Sequence, residues 1–136
     1  FTTNRLMPQT FGKAYELCSN RLIDSAFSEG SAVKQYPFKL ILGEVSEDHE
    51  MPFSFQIVFS VPKRNVKSAV KRNLIKRRMK EAFRLNKNDF EINLTEKNLR
   101  KTLFLIYLEK EILSFDQIQK KMIALLEKSI KHLEQA

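Results

Sequence analysis

A basic run between positions 61 and 84 holds the residues whose types and spacing could do chemistry. Ten of its 24 side chains are Lys or Arg and only Glu81 is acidic, whereas the whole chain has a formal net charge of +8. Five of the ten are arginines, whose planar guanidinium groups can hold a phosphate with two parallel hydrogen bonds. The run therefore predicts a surface that binds a polyanion such as a nucleic acid.

The spacing of this run predicts a helix from about Val66 to Leu85, because the segment lacks Gly and Pro and is rich in good helix formers. One face is apolar and should lie on a core: Ile75, Met79, Ala82 and Phe83. A second stripe is polar and almost wholly cationic: Asn73, Arg77, Lys80 and Arg84, with Arg72 and Lys76 at its border. Like charges at these spacings repel one another, so the stripe favours an anionic partner over a merely solvated basic face.

The same segment resembles the signature of the bacterial ribonuclease P protein component. Residues 60–64 (SVPKR) match a strand that ends in paired basic residues, and residues 69–84 (AVKRNLIKRRMKEAFR) match the pattern Ala-Val-x-Arg-Asn-Arg-x-Lys-Arg-x-x-Arg-Glu-x-Phe-Arg. Leu74 stands where the family has the third residue of Arg-Asn-Arg, and Lys80 replaces an Arg. A weaker resemblance covers roughly Leu17 to the C-terminus.

The resemblance implies a protein subunit that binds the catalytic RNA and the 5′ leader of precursor tRNA, and so assists endonucleolytic removal of the leader. The residues expected to bind RNA are Lys63, Arg64, Lys67, Lys71, Arg72, Asn73, Lys76, Arg77, Lys80 and Arg84. Those expected to line the leader cleft are Phe27, Lys39, Ile41, Gln56 and Ser60, with Ile23 where the family usually has a further aromatic residue. No catalytic or metal-binding residue is expected in the protein, because the RNA subunit would supply the active site with its Mg²⁺, and no obligate protein partner is expected.

The flanking sequence predicts the elements that position these residues. Ser19 caps a short amphipathic helix over residues 20–28, and two strands follow at residues 37–42 and 52–61. In the second strand Phe53, Phe55, Ile57, Phe59 and Val61 alternate with smaller or polar residues, so the Phe stripe is interpreted as core. The opposite face of both strands is more polar and could form a floor for a nucleic-acid strand. The acidic loop between them, at residues 43–51, is interpreted as solvated rather than as a metal site.

The remainder of the chain completes the predicted fold. Residues 86–98 are interpreted as a polar connection with some local structure, residues 102–108 as a strand inside the sheet, and the last segment as a helix capped by Ser114 or Asp116. The apolar seam of that helix comprises Ile118, Met122, Leu125, Leu126, Ile130 and Leu133. We expect an N-terminal tail at 1–15 and one RNA-binding domain at 16–136, folded as a two-layer α+β sandwich, α-β-β(-β)-α-β-α, with a mostly antiparallel sheet. The resemblance adds a left-handed βαβ crossover and likeness to a ribosomal-protein domain.

Composition excludes several other classes of protein. The chain offers one cysteine and two histidines, glycine occurs only at positions 12, 30 and 43, and no nucleophile–base set or carboxylate pair stands out. No apolar stretch approaches the length of a membrane span and no leader opens the chain, so the expected location is the cytoplasm. The main alternative is a basic ribosomal or DNA-binding protein without nuclease association. A membrane-surface protein is a weaker alternative, because the apolar helix face carries Met and Ala rather than Trp and Leu.

Overall fold

The computed structural model describes residues 30–45 and 54–135. The elements in chain order are strands β1 (Ser31–Gln35), β2 (Phe38–Glu44) and β3 (Phe55–Ser60), helices α1 (Ala69–Asn86) and α2 (Asn88–Glu96), strand β4 (Lys101–Tyr107) and helix α3 (Phe115–Gln135). The described residues do not include the segments predicted as an N-terminal tail and as a short helix at 20–28, nor Ile23, Phe27, Phe53 and most of the predicted acidic loop.

The four strands form one sheet in the order β1-β2-β4-β3. β1 pairs with β2 and β2 with β4 antiparallel, while β3 pairs with β4 in parallel, so α1 and α2 form the crossover between two neighbouring parallel strands. This confirms the α+β fold with a mostly antiparallel sheet and the inner position of β4. β1 was not located from the sequence, although the predicted order allowed one additional strand.

The helices pack on one face of the sheet, here called the core face. The alternation predicted for β3 is confirmed, since Phe55, Ile57 and Phe59 are buried and the residues between them are half-buried. The core joins side chains of all four strands to the apolar sides of α1, α2 and α3. Each buried Leu, Ile, Met or Phe contributes about 1.5–3 kcal/mol relative to an exposed side chain, so this layer of burial fixes the helices on the sheet.

Three segments differ from the sequence prediction or refine it. The basic helix begins at Ala69 rather than Val66, because Ser68 is the N-cap and its side chain accepts from the Lys71 amide at 3.3 Å. Residues 88–96, interpreted as part of a polar connection, form α2. The last helix is capped by Ser114, whose Oγ accepts from the Gln117 amide at 3.2 Å, so Asp116 lies inside the first turn.

Candidate nucleic-acid interface

Packing of aromatic residues under α1 determines which side of the helix meets solvent. The ring of Phe83 on α1 lies edge-on to Phe55 and Phe59 on β3, with centroids 5.6 and 5.9 Å apart, and Phe55 also meets Phe90 of α2 at 6.1 Å. Such pairs contribute about 0.5–1.5 kcal/mol each beyond the area they bury. With Ile75, Met79, Ala82 and Phe83 buried, as predicted, the polar stripe of α1 is turned away from the sheet.

The polar stripe of α1 is brought together on the outside of the helix. Asn73, Arg77 and Lys80 are exposed, and Arg84 is half-buried. Arg77, Lys80, Glu81 and Arg84 line a shallow hollow of about 320 Å³. Glu81 forms an ion pair with Arg84, with 2.5 Å between its Oε1 and Arg84 Nη2, so the only acid of the run offsets the charge at one end of the stripe.

The N-terminal end of α1 and the loop before it carry four more of the predicted RNA-binding residues. Lys63 and Arg64 are exposed in the turn after β3, and Lys67 and Lys71 are exposed on either side of the N-cap. The first turn of the helix contains no acidic residue. Because a helix N-terminus carries about half a positive charge, these lysines and the helix dipole attract an anion to the same place.

The two border residues of the stripe behave differently from its centre. Lys76 and Arg72 are half-buried, and Arg72 Nη1 donates to the carbonyl oxygens of Val66 at 3.0 Å and Lys67 at 2.8 Å. The Arg72 guanidinium therefore fastens the loop that carries Lys63, Arg64 and Lys67 to the first turns of the helix. The sequence predicted a binding role for Arg72 but not this positioning role.

Arg78 is a residue of the interface region that the sequence left without a role. Its Nη1 donates to the carbonyl oxygen of Leu113 at 2.6 Å, in the loop between β4 and α3. The Tyr107 hydroxyl donates to the Glu111 carbonyl at 2.5 Å and accepts from the Leu113 amide at 3.4 Å, and burial raises the pKa of Tyr107 to about 12. These bonds tie α1 to the end of the sheet, so the orientation of the basic stripe is fixed at both the core and the loop. No sequence spacing signals a contact between residues this far apart.

The side of the sheet opposite the core face carries the predicted floor. We call it the second face: Lys39, Ile41, Gln56, Val58, Ser60, Phe104 and Ile106. Register places Lys39, Ile106 and Ser60 in one row across β2, β4 and β3, and Ile41, Phe104 and Val58 in the next. Of the predicted cleft residues, Lys39, Gln56 and Ser60 are half-buried and share this face, while Ile41 shares it but is 7% exposed.

The central strand adds two side chains to the second face that the sequence did not assign there. Phe104 and Ile106 are half-buried in β4, the strand that was predicted to lie inside the sheet. Phe104 lies in the middle of the face, between Ile41 and Val58. An aromatic ring at the centre of a polar-edged surface can stack on a base, which makes Phe104 a further candidate for contact with a single strand. Buried and half-buried residues alternate in β4 only from Leu103 to Tyr107, a pattern that the apolar sequence of the strand does not show.

Within residues 30–45 and 54–135, no group of three or more His, Cys, Asp or Glu residues is placed to hold a metal ion. No helix in those ranges is both long enough and apolar enough to span a bilayer.

The comparisons with known proteins agree with one another. The family model described as Ribonuclease P matches residues 11–129. The chain is 32% identical over 117 residues to the ribonuclease P protein component of Porphyromonas gingivalis strain W83, an alignment that covers 85% of this chain and 84% of the relative. The chain belongs to the ribonuclease P protein family. A second strain of the same species gives the same identity and coverage.

Solved structures of ribonuclease P proteins share the fold. The protein from Staphylococcus aureus superposes with a TM-score of 0.63 at 24% identity, over 86% of this chain and 96% of that one. The protein from Thermotoga maritima gives a TM-score of 0.59 at 21% identity, over 82% of this chain and 94% of that one. At these identities the likeness supports the architecture of the ribonuclease P protein fold and no residue's role.

Proposed function

We propose that this chain is the protein subunit of ribonuclease P, which binds the catalytic RNA through α1 and the 5′ leader of precursor tRNA through the second face. Membership of the family implies a part in this endoribonuclease complex and partnership with its RNA. The finer assignment, which surface binds which RNA, rests on the residues described above.

The observation that carries the proposal is the one-sided charge of α1. The apolar side of α1 is buried in the core, and its outer side exposes Arg77 and Lys80. The loop before the helix adds three exposed cations at one end: Lys63, Arg64 and Lys67. Binding of a polyanion to such a surface is favourable because the condensed counterions of its phosphates are released. If about six phosphates are neutralised, the logarithm of the binding constant should fall with the logarithm of salt concentration at a slope of roughly −4 to −5.

The second face suits a single strand rather than a folded RNA surface. Most of its side chains are half-buried, and it carries a cation at Lys39, polar groups at Gln56 and Ser60, and an aromatic ring at Phe104. Stacking on such a ring tolerates any base, and the lysine binds phosphate without reading sequence. The face therefore supports binding of leaders of varied sequence.

We assign the hydrolysis itself to the RNA subunit. Mg²⁺-dependent phosphodiester cleavage requires oxygen ligands that hold the ion beside the scissile phosphate. The described part of this chain brings no such ligand group together, so we derive no catalytic step from it. Its contribution is to lower the electrostatic repulsion between two RNAs and to hold the leader of the substrate.

Assembly with a bacterial ribonuclease P RNA tests the proposal. The variant Arg77→Gln/Lys80→Gln removes two charges from the outer side of α1, and the control Lys120→Gln/Lys121→Gln removes two exposed charges from α3. We expect the first variant to flatten the salt slope by about 1.4–1.8 and the control to leave it unchanged. Equal effects of the two variants would show that net charge, not the α1 surface, binds the RNA. Failure of the parent to bind would favour the ribosomal or DNA-binding alternative.

A further inference from the structure

A second basic groove lies at the edge of the sheet, away from α1. It has a volume of about 400 Å³ and runs between β1 and the last turns of α3. Its lining includes Lys34, Lys128, Lys131 and His132, and no acidic residue is among the described residues that line it. β1 and β3 are the two ends of the four-stranded sheet, so the groove is displaced by three strand spacings, about 14 Å, from the strand next to α1.

The groove is held in shape by contacts between α3 and β1. Lys128 Nζ donates to the Lys34 carbonyl oxygen at 2.6 Å, and His132 Nε2 lies 3.1 Å from Ser31 Oγ. An ammonium group has three donors, so Lys128 can fasten the helix to the strand and still donate to an anion. Cations near a helix C-terminus also complement the helix dipole, but this does not account for Lys34, which lines the groove from β1.

Lys34 connects the groove with the second face. It is the direct cross-strand partner of Lys39, so the two cations lie side by side on the same face of the β1–β2 hairpin. Like charges directly opposite one another destabilise a strand pair. An anionic strand that passes from Lys39 over Lys34 to Lys131 would relieve this repulsion. Such a strand would run from the second face, around the edge of the sheet at β1, into the groove.

We infer that this edge groove, lined by Lys34, Lys128, Lys131 and His132, binds the phosphate backbone of single-stranded RNA that has crossed the second face, and so holds the distal part of long leaders. The inference rests on the proposed function. Lysines bind phosphate as point charges, and the lining contains no Phe, Tyr or Trp among the described residues. The groove is therefore expected to bind RNA of any sequence through its phosphates.

Leader length provides the test. Precursor tRNAs with leaders of about 4 and about 12 nucleotides, lengths within the range of single-strand sites, are bound to the holoenzyme assembled from this protein and a bacterial ribonuclease P RNA. The variant is Lys34→Gln/Lys131→Gln, which spares the Lys128 contact that fastens α3 to β1. The control is Lys120→Gln/Lys121→Gln, which removes the same charge from exposed positions of α3 outside the groove. Circular dichroism and melting temperature verify that both variants fold as the parent does.

We expect the parent to bind the long-leader substrate more tightly than the short one. The groove variant should lose on the order of 5-fold in affinity for the long leader, as two exposed lysine–phosphate contacts would give, and bind the short leader as the parent does. The control should match the parent on both. An unchanged affinity for the long leader, or an equal loss on both leaders, would overturn the groove while leaving the proposed function standing. A parent that binds neither substrate would overturn both.

Discussion

The substitution Arg72→Ala should destabilise the fold as well as weaken RNA binding, whereas Arg77→Ala should only weaken binding. Both residues lie on α1 and both were predicted from the sequence to bind RNA. In the structure Arg77 is exposed, but Arg72 is half-buried and donates two hydrogen bonds to the Val66 and Lys67 carbonyls. The two substitutions therefore separate a residue that positions the loop from one that is only exposed on the outer side of α1.

The size of the difference follows from those two bonds. A hydrogen bond from a charged donor contributes about 1.5–3 kcal/mol when it is well shielded. Because Arg72 is only half-buried, water can hydrogen-bond to the carbonyl groups that the substitution leaves without their arginine donor. We therefore expect Arg72→Ala to lower the free energy of unfolding by about 1–2 kcal/mol. For a chain of this size that corresponds to a fall in melting temperature of about 4–8 °C. Arg77→Ala removes an exposed side chain and should change the free energy of unfolding by less than about 0.5 kcal/mol.

Thermal unfolding followed by circular dichroism measures the difference, and the salt dependence of binding to the catalytic RNA measures the shared effect. Each variant loses one cation, so each should flatten the salt slope by about 0.7–0.9. Equal melting temperatures for the two variants would refute the positioning role of Arg72. A parental salt slope for Arg77→Ala would refute the placement of RNA on the outer side of α1.

The remaining predictions concern the core, the loop after β4 and the helix itself. Lys87 and Glu91 form a buried ion pair at 2.8 Å, with side chains 0% and 3% exposed. Glu91→Gln leaves the Lys87 charge without its partner, so it should lower the free energy of unfolding, measured by denaturant titration, by about 3–5 kcal/mol. Replacing both residues by Met should lower the free energy of unfolding much less. If the effects of replacing each residue alone added up to the effect of replacing both, the pairing would be contradicted. The pKa of Tyr107 is raised from 10.0 to about 12 in the fold. The neutral hydroxyl of Tyr107 therefore stabilises the fold fully below pH 10, and this contribution is lost as the pH rises to about 12. Tyr107→Phe should therefore lose less stability over that interval than the parent, and parallel losses would contradict the assignment. Leu74→Arg, which restores the family's residue, should steepen the salt slope of RNA binding by about 0.7–0.9. A slope equal to that of the parent would place residue 74 outside the RNA contact.

The basic helix could be predicted from sequence because its periodicity is strong. Its buried face of Ile75, Met79, Ala82 and Phe83 is as predicted, since a spacing of three and four residues leaves one way to bury four apolar side chains. What periodicity cannot show is which arginines are used internally. Arg72 and Arg78 bond to carbonyl oxygens whose positions depend on the loop before α1 and on the loop before α3.

Two elements lacked a sequence signal for physical reasons. α2 contains Asn, Asp and Thr, which are poor helix formers, and no side chain caps its start. It is stabilised by tertiary contacts, with Phe90 and Leu94 fully buried one turn apart. β1 buries only Val33 among its five residues, so it shows no alternation, and it is defined by its pairing with β2. The left-handed sense of the crossover stays a prediction from the family resemblance.

The most direct test of the account is cleavage of precursor tRNA at low Mg²⁺ concentration by a bacterial ribonuclease P RNA, with this protein, without it, and with the protein alone. We predict efficient release of the 5′ leader only when RNA and protein are both present. Cleavage by the protein alone would contradict the assignment of the chemistry to the RNA. A protein that binds the RNA but fails to stimulate cleavage would contradict its role as the ribonuclease P subunit.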